Sequence, residues 1–169
     1  MKHCIECGEG LIEKELDKEG LIPYCPCCKE FRFPFFNVAV SMVILNPSQD
    51  QVLLIQQYGI EGYILVAGYV NKGEDAENAV IREIQEEVGL HVQSLHFNRS
   101  HYYKKSNTLM LNFTAIASDM NVCANEEIDH WAWFSMEQAK EKIRKDSLAQ
   151  AFLLGYFEKE YHFEICDGK

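Results

Sequence analysis

No apolar run in the 169-residue sequence approaches the length needed to cross a membrane. The first residues, Met1-Lys2-His3-Cys4-Ile5-Glu6-Cys7, lack the pattern of a secretory signal. The expected location is therefore the cytoplasm, with no membrane partner. Positive charge is also scarce: 16 Lys and Arg stand against 26 Asp and Glu, for a net charge of -10. That balance argues against broad electrostatic attraction to nucleic acid or to an anionic bilayer. An anionic substrate would have to be met locally, by metal ions and a few cations. Internal repeats, linkers and low-complexity tracts are missing too. What remains is an ordinary globular composition, 47% hydrophobic and 25% charged, long enough for one good core plus a small appendage.

The most informative stretch is Gly68 to Leu90, GYVNKGEDAENAVIREIQEEVGL. Asp75 to Val88 contains no Gly or Pro, and Ala76, Val80, Ile84 and Val88 recur at every fourth position. This spacing predicts a helix with an apolar stripe facing a core. Gly89 stands where a left-handed residue ends a helix cheaply. Glu83, Glu86 and Glu87 lie three and four apart, so their carboxylates share the neighbouring face. Crowded carboxylates repel, and they suit a hard divalent cation, Mg2+ or Mn2+, which also binds phosphates. The competing reading is a solvated acidic face. Gly68 and Gly73 would let the preceding loop turn sharply and bring backbone N–H groups near a phosphate.

Five of the seven cysteines fall within residues 1 to 33. Cys4-x2-Cys7 and Cys25-x2-Cys28, 17 residues apart, have the spacing of a zinc ribbon, each pair forming a knuckle. Gly8 allows the tight backbone that the first knuckle needs. Two disulfides are the rival arrangement, disfavoured in a reducing compartment. Cys27 is a spare thiol beside Cys28 and leaves the register of the fourth ligand open. Four thiolates close a zinc site, so its role would be structural. Cys123 and Cys166 read as plain thiols, and His96, His101 and His130 have no metal-like spacing.

Strands are expected over 37–45, 51–57, 63–70, 92–98, 108–117 and 131–134. Ser135 is expected to cap a helix over 136–144, and a closing amphipathic helix is expected over 147–161. Arg99 to Asn107 reads as a polar, aromatic loop. Domains are expected at 1–33, the ribbon, and 34–169.

The stretch from Gly68 matches G-x5-E-x7-R-E-U-x-E-E-x-G-U, with U a bulky aliphatic, at every fixed position, and in this the chain resembles the Nudix hydrolases. A ribbon joined to such a box, Ala67-Gly68-Tyr69-Val70 at its entry and Cys25 to Pro34 before the first strand are similar to the NADH pyrophosphatase branch. The resemblance implies an α/β fold, an α/β/α sandwich with a mixed sheet preceded by a small zinc ribbon. It implies a catalytic set of Glu83, Glu86, Glu87 and Arg82, with Glu74 pairing to Arg82. Metal ligands would be Glu83, Glu86 and Glu87, joined by Glu127, which matches the first glutamate of the family's E-I-x-E-A-R-W-F stretch. The implied activity is Mg2+- or Mn2+-dependent hydrolysis of a nucleoside diphosphate linked to another moiety, with an NADH-like dinucleotide favoured. Which glutamate would act as base stays open.

The chain departs from that branch where specificity should lie. In place of S-Q-P-W-P-F-P-x-S stands Ser100-His101-Tyr102-Tyr103-Lys104-Lys105-Ser106-Asn107-Thr108, and Asn71 replaces a common glutamate. Tyr102 and Tyr103 would stack on a base and Lys104 or Lys105 would meet a phosphate, with Gly68 completing the substrate site; the other reading is an exposed loop. Alternatives kept open are an ADP-ribose or nucleoside-triphosphate pyrophosphatase and a non-catalytic nucleotide-sensing module. The expected partner is a small nucleotide; nucleic acid enters only as a capped RNA end, and a homodimer stays open.

Overall fold

The computed structural model describes residues 2–158. Cys166 and the end of the expected closing helix lie outside them. The chain divides into two compact units, one reaching Phe36 and the other beginning at Asn37.

The first unit is a small antiparallel sheet. Strand β1 (Ile12–Glu15) pairs with β2 (Leu21–Cys25), which pairs with β3 (Glu30–Phe31). Tyr24 and Phe31 meet edge to face at 5.1 Å, with Lys14 Nζ 4.1 Å from the Tyr24 ring centre. Strands β1 and β3 bury no side chain and β2 buries only Cys25. So little apolar burial calls for a covalent or metal staple.

The second unit is a mixed sheet with helices on both faces. In order across it run β7 (Val92–Tyr103), β8 (Thr108–Ala117), β4 (Asn37–Leu45), β5 (Gln51–Gln57) and β9 (Ile128–Ser135). Strand β6 (Val66–Tyr69) pairs with the first half of β4, whose last residues pair with β5. β4 and β8 run parallel, and the other pairings are antiparallel. The near-continuous apolar run of β4 follows from burial on both faces. Val40, Met42 and Ile44 pack with Ala79, Val80, Ile84 and Val88 of helix α1 (Ala76–Val88). Val43 and Leu45 pack on the opposite face with Ala139 of α2 (Met136–Lys142) and with Phe152 and Leu153 of α3 (Leu148–Glu158). This is the α/β/α sandwich. No helix among the described residues is long and apolar enough to cross a membrane.

The expected apolar stripe of α1 is the face it buries, and Gly89 ends the helix at φ +70. Ser135 caps α2 in a capping box with Gln138. One expectation is corrected: Arg99 to Asn107 is mostly not a loop. β7 continues through Tyr103, paired to β8 as far as Tyr103 and Thr108, and only Lys104–Ser106 and Asn107 make the turn. β7 is the edge of the sheet, where polar side chains are tolerated on a strand. Apolar β8 supplies its ladder, so polarity there reflects an edge rather than a loop.

Candidate functional site

α1 enters the site through its least expected contact, with a glycine. A Cβ placed on Gly68 of β6 would lie 1.9 Å from Glu83 Cδ, so the absence of a side chain at residue 68 is what lets the Glu83 carboxylate lie against the strand here. Arg82, one residue earlier, ties the surrounding segments together. Its Nε and Nη2 donate to the two oxygens of Glu74, at 2.8 and 3.0 Å, and Nη2 also donates to the Tyr69 carbonyl at 3.0 Å. Nη1 donates to Glu83 at 2.7 Å and to Glu86 at 3.0 Å. Arg82 holds the Glu74 carboxyl down at about 2, helped by the Asn71 N–H. The guanidinium itself is pushed above its ordinary value by Glu74 and Glu83.

Beside this tie lies a cleft of about 460 Å3. Glu83, Glu87 and Glu127 line it, with Gly68, Tyr58 and Tyr69. Glu87 is only 6% exposed and accepts a 3.1 Å bond from Gln57 Nε2. Burial, then the charges of Glu83 and Glu127, push its carboxyl up to about 8. Three carboxylates around one cleft, one of them buried, form a donor set that a divalent cation would neutralise. Among the described residues no three of these carboxylates bring ligand oxygens within 4.8 Å of one another. Glu83 and Glu86 are turned toward Arg82 instead.

Of the residues singled out in the sequence, Glu83, Glu87, Glu127 and Gly68 meet in the cleft, and Glu86 stands exposed outside its lining. Arg82 sits behind the cleft as the tie. Tyr102 and Tyr103 do not line it: Tyr102 is half exposed on the edge strand, its hydroxyl donating to Asn107 at 2.6 Å, and Tyr103 borders a neighbouring cavity with Arg144 and Phe152. The aromatic side chains of the cleft are Tyr69, part of the entry to the box in sequence but given no substrate role there, and Tyr58. Tyr69 adjoins Gly68 and was open to notice; Tyr58 carries no local signal.

The four cysteines form a second site. The Sγ atoms of Cys4, Cys7, Cys25 and Cys28 all lie within 4.8 Å of one another. Cys4 and Cys28 are 3.9 Å apart, Cys7 and Cys25 3.5 Å. Four thiolates around zinc at about 2.3 Å would stand about 3.8 Å apart, so the set fits that ion. None of these cysteines is in a disulfide, and Cys27 is exposed and outside the cluster. Each knuckle closes with a backbone bond, Gly8 N to Cys4 O at 2.9 Å and Lys29 N to Cys25 O at 2.8 Å. Both donors have positive φ, +77 and +61, so Lys29 holds in the second knuckle the place of Gly8 in the first. Arg32 Nε donates to Cys4 Sγ at 3.3 Å and brings that thiol down to about 6. The neighbouring Cys7 and Cys25 thiols push Cys28 up to about 12.

Residues 35–153 match the NUDIX domain model. The chain is 28% identical over 152 residues to the NAD-capped RNA hydrolase NudC of Pseudomonas fluorescens, covering 88% of this chain and 53% of that protein. To NudC of Pseudomonas aeruginosa it is 31% identical over 139 residues, 80% of this chain and 48% of the relative. The chain therefore spans about half the length of the curated relatives it matches. A Nudix hydrolase structure from Nitrosomonas europaea superposes with a TM-score of 0.64 at 20% identity, covering 96% of this chain and 93% of that one. The Nudix domain of Shewanella oneidensis NrtR, solved in complex with ADP ribose, gives 0.63 at 15% identity over 80% and 93%. At these identities the likeness is one of fold.

Proposed function

The chain belongs to the Nudix family, and from that premise we propose that it is a divalent-metal-dependent pyrophosphohydrolase of nucleoside diphosphates linked to a second moiety. NAD-like dinucleotides are the favoured substrates, and an NAD-capped RNA end is the favoured macromolecular one. The observation that carries the reading is the cleft in which Glu83, Glu87 and Glu127 surround a glycine-lined approach to α1. The names of the NudC relatives support the choice of an NAD-linked substrate.

In this reading Glu83, Glu87 and Glu127 hold Mg2+ or Mn2+, with Glu86 one turn along the same face. A cation bound there neutralises pyrophosphate charge and acidifies a bound water. Arg82 is a positioning residue, holding the box loop, β6 and the helix carboxylates in one register. The backbone at Gly68 and Tyr69 offers the phosphate a close approach free of any side chain at residue 68. The rings of Tyr58 and Tyr69 offer faces to a base or to nicotinamide. Burial and the neighbouring carboxylates draw Glu87 up to about 8, and a cation held there would favour its ionised form. Residues 1–33 form a structural zinc ribbon through Cys4, Cys7, Cys25 and Cys28, ahead of a hydrolase domain over 34–169, in a cytoplasmic enzyme.

The test is a panel of NADH, NAD-capped RNA, ADP-ribose, diadenosine polyphosphates and nucleoside triphosphates, assayed with Mg2+ and with Mn2+. Cleavage of NADH or the capped RNA at the pyrophosphate, ahead of the others, is the expected result. Faster turnover of ADP-ribose or of triphosphates would move the substrate assignment. No cleavage of any member with either metal would remove the enzymatic reading.

A further inference from the structure

In an extended strand successive side chains point to opposite faces. Past the end of β5 that alternation does not continue: Gln57, its last residue, and Tyr58, the first residue of the turn, both line the carboxylate cleft. The backbone shows how. The pairing of β5 with β9 shifts register between Gln56 and Gln57, and Tyr58 has φ +57. A left-handed conformation is costly for a bulky side chain, and it clusters where function demands it. Gly59, at φ +66, completes the turn, and its N–H donates to Asp129 Oδ2 at 2.7 Å.

The two residues brought to one side do matching things. Gln57 Nε2 donates to Glu87 of α1, and Tyr58 Oη donates to Glu127 Oε2 at 2.8 Å. Glu127 belongs to the segment before β9, far from α1 in the chain, and its own N–H is held by Asn125 Oδ1 at 3.0 Å. Tyr58 itself is 68% exposed, so apolar burial does not explain its place.

We propose that Tyr58 is a positioning residue, whose hydroxyl fixes the Glu127 carboxylate toward the cleft so that it serves as the ligand most distant in sequence from α1. One carboxylate oxygen is held by the phenol and the other is left for a cation. The left-handed turn at Tyr58 is what this arrangement demands of the backbone. The inference rests on the reading of Glu127 as a metal ligand.

The experiment measures Mn2+ binding to the full chain without substrate, by the paramagnetic resonance of free Mn2+, alongside thermal unfolding. Tyr58→Phe removes only the hydroxyl and should weaken Mn2+ by about tenfold, the scale of losing a group that orients a ligand. Tyr58→Asn accepts the left-handed backbone better; it should raise or keep the melting temperature while weakening Mn2+ similarly. A tyrosine with a merely structural role would lose stability and leave Mn2+ affinity alone. Glu127→Ala should weaken Mn2+ by itself, and adding Tyr58→Phe should then change nothing more. If Glu127→Ala weakens Mn2+ but Tyr58→Phe binds it like wild type, or if the two effects add in full, the positioning role is overturned. If Glu127→Ala binds Mn2+ like wild type, the ligand reading fails and takes this inference with it.

Discussion

The two candidate metal sites are built on opposite plans. In the first unit the ligand atoms of Cys4, Cys7, Cys25 and Cys28 already lie within 4.8 Å of one another. They come from two short knuckles, each closed by its own backbone bond, and the site needs little else from the chain. In the second unit the acidic residues come from a helix and from the segment before β9, and their neighbours hold them apart. Arg82 holds Glu83 and Glu86, Gln57 holds Glu87, and Tyr58 holds Glu127. The thiol site is closed by its own ligands, and the carboxylate site is kept open by its supporting groups. The first plan suits a structural ion, the second an exchangeable ion that must also meet a substrate.

The sharpest way to break this comparison is to remove one thiolate. Purified protein should hold one zinc per chain, and Cys28→Ser should lose it altogether while Cys27→Ser keeps it, as elemental analysis would show. Zinc retained by Cys28→Ser would mean that the four-sulfur set is not the site.

Next comes the buried carboxylate. Glu87→Gln should cut turnover by roughly two to four orders of magnitude, the scale of a lost metal or general-base contribution. The same variant should stabilise the metal-free protein. Glu87 is raised from its ordinary range to about 8 in the fold, so the folded state binds more protons than the unfolded one between those values. Wild-type stability therefore declines as pH rises through that window. Glutamine removes the decline, and the gap in melting temperature between variant and wild type should widen from pH 5 to pH 8.5. A gap that does not change with pH would contradict the burial argument.

Gly68→Ala should lower kcat by about a hundredfold, the effect expected of misplacing a reacting-site group by about an ångström. The added methyl meets the Glu83 carboxylate, so this variant should also bind Mn2+ more weakly. Wild-type kinetics would show that the approach of β6 to α1 is not needed.

The smallest effect sharpens the comparison at the substrate. Tyr69→Ala should raise KM by the factor that about 1–3 kcal/mol of base stacking supplies, whereas Tyr102→Ala should leave KM unchanged. Reversed results would return base recognition to the edge strand.

What could be read from the sequence follows the same division. The knuckles were legible because both ligands of each pair lie within four residues, and α1 because Ala76, Val80, Ile84 and Val88 repeat at a helical period. The extension of β7 through Tyr103 was not legible. An edge strand with polar side chains carries the composition of a loop, and only the ladder from β8 distinguishes them. Tyr58 was hidden for another reason. Its role depends on a left-handed backbone angle and on Glu127, 69 residues away, and neither leaves a periodic trace. Gly68 reads in the sequence as a residue that lets the loop turn sharply, but the closeness of the Glu83 carboxylate, which any side chain there would displace, exists only in three dimensions.

Arg82 has five N–H bonds, and the five acceptors it meets, on Glu74, Glu83, Glu86 and the Tyr69 carbonyl, are enough to engage them all. A lysine would carry the same charge with three donors, leaving at least two of those acceptors without their bond. Viewed mechanically, one side chain is the node at which a loop, a strand and a helix face are pinned. Such a joint is stiff while whole but has no redundancy. It cannot be loosened by degrees, because any replacement at residue 82 releases several segments at once.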